Sequence, residues 1–517
     1  MRKAIYILIK HIWMFSIMFA QWTNNPENPL LLGSGIQPQV KMASNGDVYY
    51  AWLTEGNYHV YLQKLNEDGI IQFSDGGMLI SDNNNSSWIA VYHLNLAVDS
   101  ENNAIITLVD QRYGSWEVYA YKINPNGEMI WGIDGLSLSN SGVSNISPRL
   151  VVLPDNSIVV SWSKNYNSVV MQRISPNGEL LWNEGIAINN LLASLMSPQP
   201  IINSNGELLL QWISQTGQAW AADSKLYLQK YNLDGSFIWN EPTVTVGPVV
   251  FPMGNWSQQL VKDGINGSFA AWTEMSGNAQ DAVVQHIDED GQLSWIGGLE
   301  LSQNSSNFQV NPKIAVSENS QELMAVWNES NASQSQRGVY AQRIDQDGNK
   351  IWGINGSPVV PLNNNFDYLN LSIVEVGEGF IASYIQQSSN MNSDIYAVRI
   401  DGNCTSIWLD NNAVITNSNN PKSDMTVEKG VSCIFISWSE NGNIYTHCLN
   451  ENGTLGPIDS SHLGDVNSDG NIDVLDVVML VNQILGSNTL ELDNADINDD
   501  NEINILDVVA LISIILS

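Results

Sequence analysis

Two twelve-residue stretches near the C-terminus set oxygen-bearing side chains where a hard cation takes its ligands. The first runs Asp465-Val-Asn-Ser-Asp-Gly-Asn-Ile-Asp-Val-Leu-Asp476. The second, 31 residues on, runs Asp496-Ile-Asn-Asp-Asp-Asn-Glu-Ile-Asn-Ile-Leu-Asp507. A calcium loop of this length uses positions 1, 3, 5, 7 through its carbonyl, 9 and 12. Those positions hold Asp465, Asn467, Asp469, Asn471, Asp473 and Asp476, then Asp496, Asn498, Asp500, Glu502, Asn504 and Asp507. Two Ca2+ sites are therefore expected. Gly470 stands at position 6, where the chain must turn sharply; Asn501 takes that place in the second loop and predicts weaker binding there. Residues 463–517 carry 11 acids and no Lys or Arg, so their repulsion couples folding of the tail to the cation.

Each loop leads into an apolar helical segment, expected over Val477–Leu485 and Val508–Leu516. Both segments are too short to span a membrane. Loop followed by helix, no helix ahead of the loop, Asp at position 12 and duplication at this spacing together resemble the type I dockerin family over residues 463–517. That resemblance implies docking on a cohesin-like or other surface receptor. In that family positions 10 and 11 help choose the partner; here they are Val474, Leu475, Ile505 and Leu506, where Ser or Thr is familiar. These four are either an apolar docking face or core of a very small domain.

The body ahead of the tail is a repeat. A second-strand position recurs at Trp52, Val109, Trp162, Trp212, Trp272, Trp327, Tyr384 and Trp438, 50 to 60 residues apart. A turn glycine recurs at Gly69, Gly127, Gly178, Gly235, Gly291 and Gly348, each followed four residues later by Phe or Trp. In the seventh unit the spacing reads as stretched, from Gly402 to Trp408. Eight units of four short strands predict an all-β chain, an eight-bladed β-propeller over residues 21–456. The recurring aromatics read as packing against the neighbouring blade. The eighth unit lacks a fourth strand, and Trp22 to Leu32 resembles the fourth-strand text, so the N-terminal strand is expected to close the ring. In outline the units resemble the eight-bladed propellers of the pyrroloquinoline-quinone-like repeat group, through their Gly-x-x-x-Trp element. The quinone enzymes of that group carry a vicinal cysteine pair; this chain has none, so the resemblance reaches the fold alone.

The propeller shows no Gly-x-Ser-x-Gly, His-Glu-x-x-His or phosphate loop, and its histidines are scattered. Two positions past each second-strand marker lies a ring of residues at one rim, among them Glu274 and Glu329 in adjacent units. Two such carboxylates could flank a glycosidic bond as weak catalytic candidates. We favour reading them as solvated strand-end residues. The loops of units four to seven on that rim are long, rich in Ser, Asn and Gln, and include Trp220; a glycan is the expected kind of ligand there.

Acids outnumber bases 54 to 20, which excludes nucleic acid as a partner and fits a secreted or cell-surface, cation-rich setting. Met-Arg-Lys followed by apolar residues up to Ala20 reads as a signal peptide over residues 1–20. Of the three cysteines, Cys433 and Cys448 lie opposite each other if Trp438 faces Asn443; a cross-strand disulfide and two free thiols both remain open. Residues 457–462 read as a linker. Two functions follow: a non-catalytic binding or scaffold platform attached through its tail, or a polysaccharide-degrading glycoside hydrolase or accessory subunit, the company the dockerin resemblance implies.

Overall fold

The computed structural model describes residues 22–456, 464–466, 472–485, 495–498 and 503–515, apart from 84, 87, 218–222, 245–257, 277–278, 318–320, 378, 403, 405, 407 and 409–410. The signal peptide, the linker, Trp220, and loop residues Asn467, Asp469, Asn471, Asp500 and Glu502 lie outside the described residues.

Among the described residues there are eight four-stranded antiparallel sheets, each a meander in chain order except the last. Blade six is representative: Asn307–Val316, Leu323–Asn331, Arg337–Ile344 and Ser357–Asn363. Every second-strand marker sits in the second strand of its blade. The middle strands read as unbroken apolar runs because neighbouring blades cover both faces. In blade two, Ala104–Asp110 and Glu117–Ile123 are buried throughout. The core is correspondingly shared across seams; one cluster joins Val159 and Trp182 of blade three to Leu208 and Trp212 of blade four.

The last sheet is built from both ends of the chain. Leu30–Ser34 pairs with Asn443–Leu449, Leu31 facing Tyr445, and so supplies the missing fourth strand of blade eight. Ring closure by the N-terminal strand is as the repeat predicts: Leu30–Ser34 covers the edge that Asn443–Leu449 would otherwise expose.

One clasp repeats at the seams. After each third strand the chain turns tightly, and the aromatic of one blade lies on the turn glycine of the next. A Cβ on Gly178 (φ +90°) would sit 3.0 Å from the Trp131 ring. The indole N–H then donates to a carbonyl of that turn: Trp131 to Pro176 at 3.1 Å, Trp239 to Glu289 at 3.0 Å, Trp352 to Gly402 at 2.8 Å and Trp408 to Glu451 at 2.8 Å. The same four carbonyls accept a second bond from Lys122, Lys230, Arg343 and Arg399. Within their own blades, Lys122 pairs with Asp99 at 2.9 Å, Lys230 with Glu207 at 2.6 Å and Arg343 with Glu322 at 2.5 Å. Lys122, Lys230 and Arg343 thus each tie a blade to itself and to its neighbour, while Arg399 pairs with Glu451 across the seam. The aromatics are structural, as expected.

Two expectations are corrected. The seventh unit is not stretched. Its bridge Ile400–Ser406 has the six-residue separation of Ile344–Lys350, so the turn position is Cys404, with φ +60°, and not Gly402. The register of the last hairpin also differs. Trp438 faces Tyr445 rather than Asn443, because a two-residue turn at Asn441 (φ +51°) and Gly442 (φ +73°) sets the pairing. Cys448 therefore faces Phe435, and Cys433 reaches it diagonally; the two sulfurs are bonded, with Cα atoms 5.7 Å apart.

Candidate functional site

In the tail, the helices span Val474–Ile484 and Ile505–Ile515, beginning three residues earlier than expected. The reason is a pair of capping boxes formed by the loop ends themselves. Asp473 Oδ1 accepts from the Leu475 N–H at 2.8 Å, while Asp476 Oδ2 accepts from the Asp473 N–H at 2.7 Å. The second unit repeats this: Asn504 Oδ1 accepts from Leu506 N–H at 2.8 Å, and Asp507 Oδ2 from Asn504 N–H at 2.8 Å. The signal was legible as Asp or Asn followed three residues on by Asp. Asp507 Oδ1 further accepts from the N–H groups of Ile497 (2.8 Å) and Asn498 (3.3 Å). Burial pushes the Asp507 carboxyl up, but the backbone donors from Asn504, Ile497 and Asn498 outweigh it and hold it below the usual carboxylate range.

Asp465, Asp476 and Asp507 are buried beside a small shared core of Val466, Leu480, Ala495, Val508 and Leu511. Burying carboxylates in a segment without Lys or Arg is costly unless cations neutralise them. An all-oxygen set of this kind fits a hard divalent cation such as calcium. Val474, Leu475, Ile505 and Leu506 are 55–66% exposed. They occupy the first turns of the two helices and are not core. Val478 and Val509, one turn further, are also exposed, giving two matching apolar stripes.

On the propeller the solvated reading of the rim carboxylates fails. Glu329 is 2% exposed and accepts from Trp327 Nε1 (2.7 Å), Asn307 Nδ2 (2.8 Å) and Gln309 Nε2 (3.2 Å). Glu440, at the same position of blade eight, accepts from Trp438 Nε1, Ser418 and Asn420. The indole two residues back draws the carboxylate inward. Glu274 is half-buried and its carboxyl is pushed up to about 7, by desolvation first and then by Asp281 and Glu300. Glu329 lines a cavity of about 340 Å3 between blades six and seven; Glu274 does not.

His286 lies between Ser294 Oγ (2.8 Å) and Asp263 Oδ2 (3.0 Å), contacts of the kind a hydrolase triad makes. Its place in the repeat says otherwise. It stands five residues before its turn glycine, Gly291, as Lys122, Arg173, Lys230 and Arg343 stand before theirs, and takes the seat of the seam cation. Sequence reasoning missed this series, although the five-residue spacing was available to find it.

The dockerin type I domain model matches residues 463–516. No curated protein matches the chain by sequence. Among solved structures, an ulvan lyase of polysaccharide lyase family PL25 is similar at 10% identity, covering 84% of this chain and 97% of its own, with a TM-score of 0.47. The BP39L lectin from Burkholderia pseudomallei is similar at 10% identity over 72% of this chain and 97% of its own, TM-score 0.47. The GH93 α-L-arabinofuranosidase of Fusarium graminearum is similar at 11% identity over 58% and 92%, TM-score 0.37. At such identity and overlap they assign no chemistry here. Type I dockerins are calcium-binding, imply a cohesin partner, and are typically found on extracellular or cell-surface proteins. No helix among the described residues is long and apolar enough to cross a membrane. Residues 463–516 are thus a dockerin type I domain, borne by a chain whose body is an eight-bladed β-propeller.

Proposed function

We propose that this is an exported docking protein: a signal peptide (1–20), a propeller (21–456), a linker (457–462) and a calcium-dependent dockerin (463–517). The tail binds a cohesin-like receptor, and the propeller is a non-catalytic binding or scaffold platform. The observation that carries this is the doubled arrangement of Asp473–Asp476 and Asn504–Asp507, which fixes two loop ends in the same way around buried carboxylates. Asp465, Asn467, Asp469, Asn471, Asp473 and Asp476 would hold one Ca2+; Asp496, Asn498, Asp500, Glu502, Asn504 and Asp507 a second. The cation supplies charge neutralisation. The chain's own part is to cap the helices and turn Val474, Leu475, Ile505 and Leu506 outward as the docking surface. Isothermal titration of the full chain with Ca2+, followed by cohesin capture with and without chelator, tests this. Capture unaffected by chelator would overturn it.

A second reading is a glycoside hydrolase or its accessory subunit. Glu274, with its carboxyl at about 7, has the protonation a general acid needs. Against it, the cavity takes in Glu329 and omits Glu274, and the Glu329 carboxylate is already engaged by three side chains. Hydrolysis screens with Glu274→Gln and Glu329→Gln separate the readings. Turnover abolished by either change favours the enzyme.

A further inference from the structure

We propose that the cavity between blades six and seven is a binding site for a neutral saccharide. The proposal rests on the reading of the propeller as a binding platform and gives that platform a place and a ligand class.

The site is built by the repeat. The inner strands carry a left-handed residue at a fixed place in the repeat, and in blades six and seven these bulge residues are Asn311 (φ +58°) and Asn370 (φ +48°), both lining the cavity. At the equivalent place other blades use Gln37, His93, Ser147, Ser197 and Asp424. Two consecutive carboxamides therefore occur, among the described residues, only where the cavity opens. Asn311 is 4% exposed. Its amide donates to Asn328 Oδ1 at 3.3 Å, while its own Oδ1 has no partner among the described residues. A buried acceptor without a donor is costly, and a ligand hydroxyl would relieve it.

The charges argue against an ionic ligand. Arg337 and Asp367 close on each other at 2.8 Å across the seam. Glu329 is held by neutral donors within its own blade. These three groups leave one negative charge in excess, in a chain of formal charge −34, so a polyanion is repelled. A cation would have to compete with Arg337 for Asp367 and with three neutral donors for Glu329. What remains is carboxamides, which both donate and accept, beside the exposed apolar side chain of Leu369. That combination suits a ring with hydroxyls on its edge and C–H groups on its face. A volume of about 340 Å3 matches a small ligand or one or two units of a chain.

The test uses the full-length protein with calcium and titrates neutral oligosaccharides (gluco-, manno-, xylo- and arabino-series) beside uronate and sulfated series, read by calorimetry. Asn311→Gly and Asn370→Gly keep the left-handed backbone while removing the carboxamide; Ser147→Gly is the matching change in blade three. We expect binding of a neutral series, weakened at least tenfold by Asn311→Gly or, should that variant fold poorly, by Asn370→Gly, and unchanged by Ser147→Gly. Binding of acidic series alone, neutral binding indifferent to both asparagine changes, or no binding of any series overturns the proposal. A ligand found elsewhere on the propeller would keep the platform reading while sinking this site. Cohesin capture on the same preparation judges the docking reading separately.

Discussion

The indole nitrogen of Trp22 donates to the carbonyl of Glu67 at 3.0 Å, and its ring covers Gly69, where a Cβ would lie 2.7 Å away. This is the seam clasp again, made here by the N-terminal segment on the first turn of blade one. Trp22 also packs on Phe435 of blade eight, their centroids 5.8 Å apart. One residue therefore locks the place where the ring closes. Trp22→Ala should cost about 3–5 kcal/mol, the usual penalty for a buried Trp. Deleting residues 21–32 should cost more. Calorimetry showing unchanged unfolding of the deletion would contradict closure as a source of stability.

The seam cations predict a second effect. Lys122 and Asp99 are almost wholly buried, with side-chain exposures of 3% and 0%. Lys122→Ala strands the Asp99 charge, and removing one partner of a buried pair costs about 3–5 kcal/mol. Lys122→Ala with Asp99→Asn should recover much of that loss in thermal melts.

Glu274 predicts a pH dependence. Desolvation, with Asp281 and Glu300, raises its carboxyl to about 7, above the unfolded value of about 4.3. The folded state then binds the extra proton. Its contribution is fully present below the unfolded value and is lost as pH rises through 7. Glu274→Gln should raise the melting temperature at pH 8 and leave it nearly unchanged at pH 4.5. Equal shifts at both pH values would rule this out.

Calcium removal should act on the tail alone. With chelator, the full chain should lose helical signal belonging to Val474–Ile484 and Ile505–Ile515, while the propeller transition stays in place. Leu475→Asp with Leu506→Asp should abolish cohesin capture without altering the calcium titration, since both side chains are exposed and neither is a proposed ligand.

The disulfide Cys433–Cys448 spans 15 residues, and a loop of that length is worth about 3 kcal/mol in the chain-entropy account. Cys433→Ser should lower stability by up to that amount, measured against the oxidised parent.

The sequence by itself determined the repeat, the eight blades, the closing strand and the duplicated twelve-residue pattern of the tail. All four rest on spacing along the chain: about 55 residues per blade, four from turn glycine to aromatic, twelve per loop. Spacing also held the five-residue step to the seam cations. What it could not decide is contact between residues far apart in the chain. Only the assembled ring buries Glu329 under Trp327, sets Trp438 against Tyr445 so that Cys433 reaches Cys448 diagonally, and puts Cys404 where a glycine was expected. Only the tail's fold turns Val474 and Ile505 outward. The cavity likewise exists because two blades meet, Asn311 from one and Asn370 from the next. The physical reason is the same throughout. Periodicity is a local property of covalent order, whereas burial and partner choice are set by which surfaces meet when the ring closes.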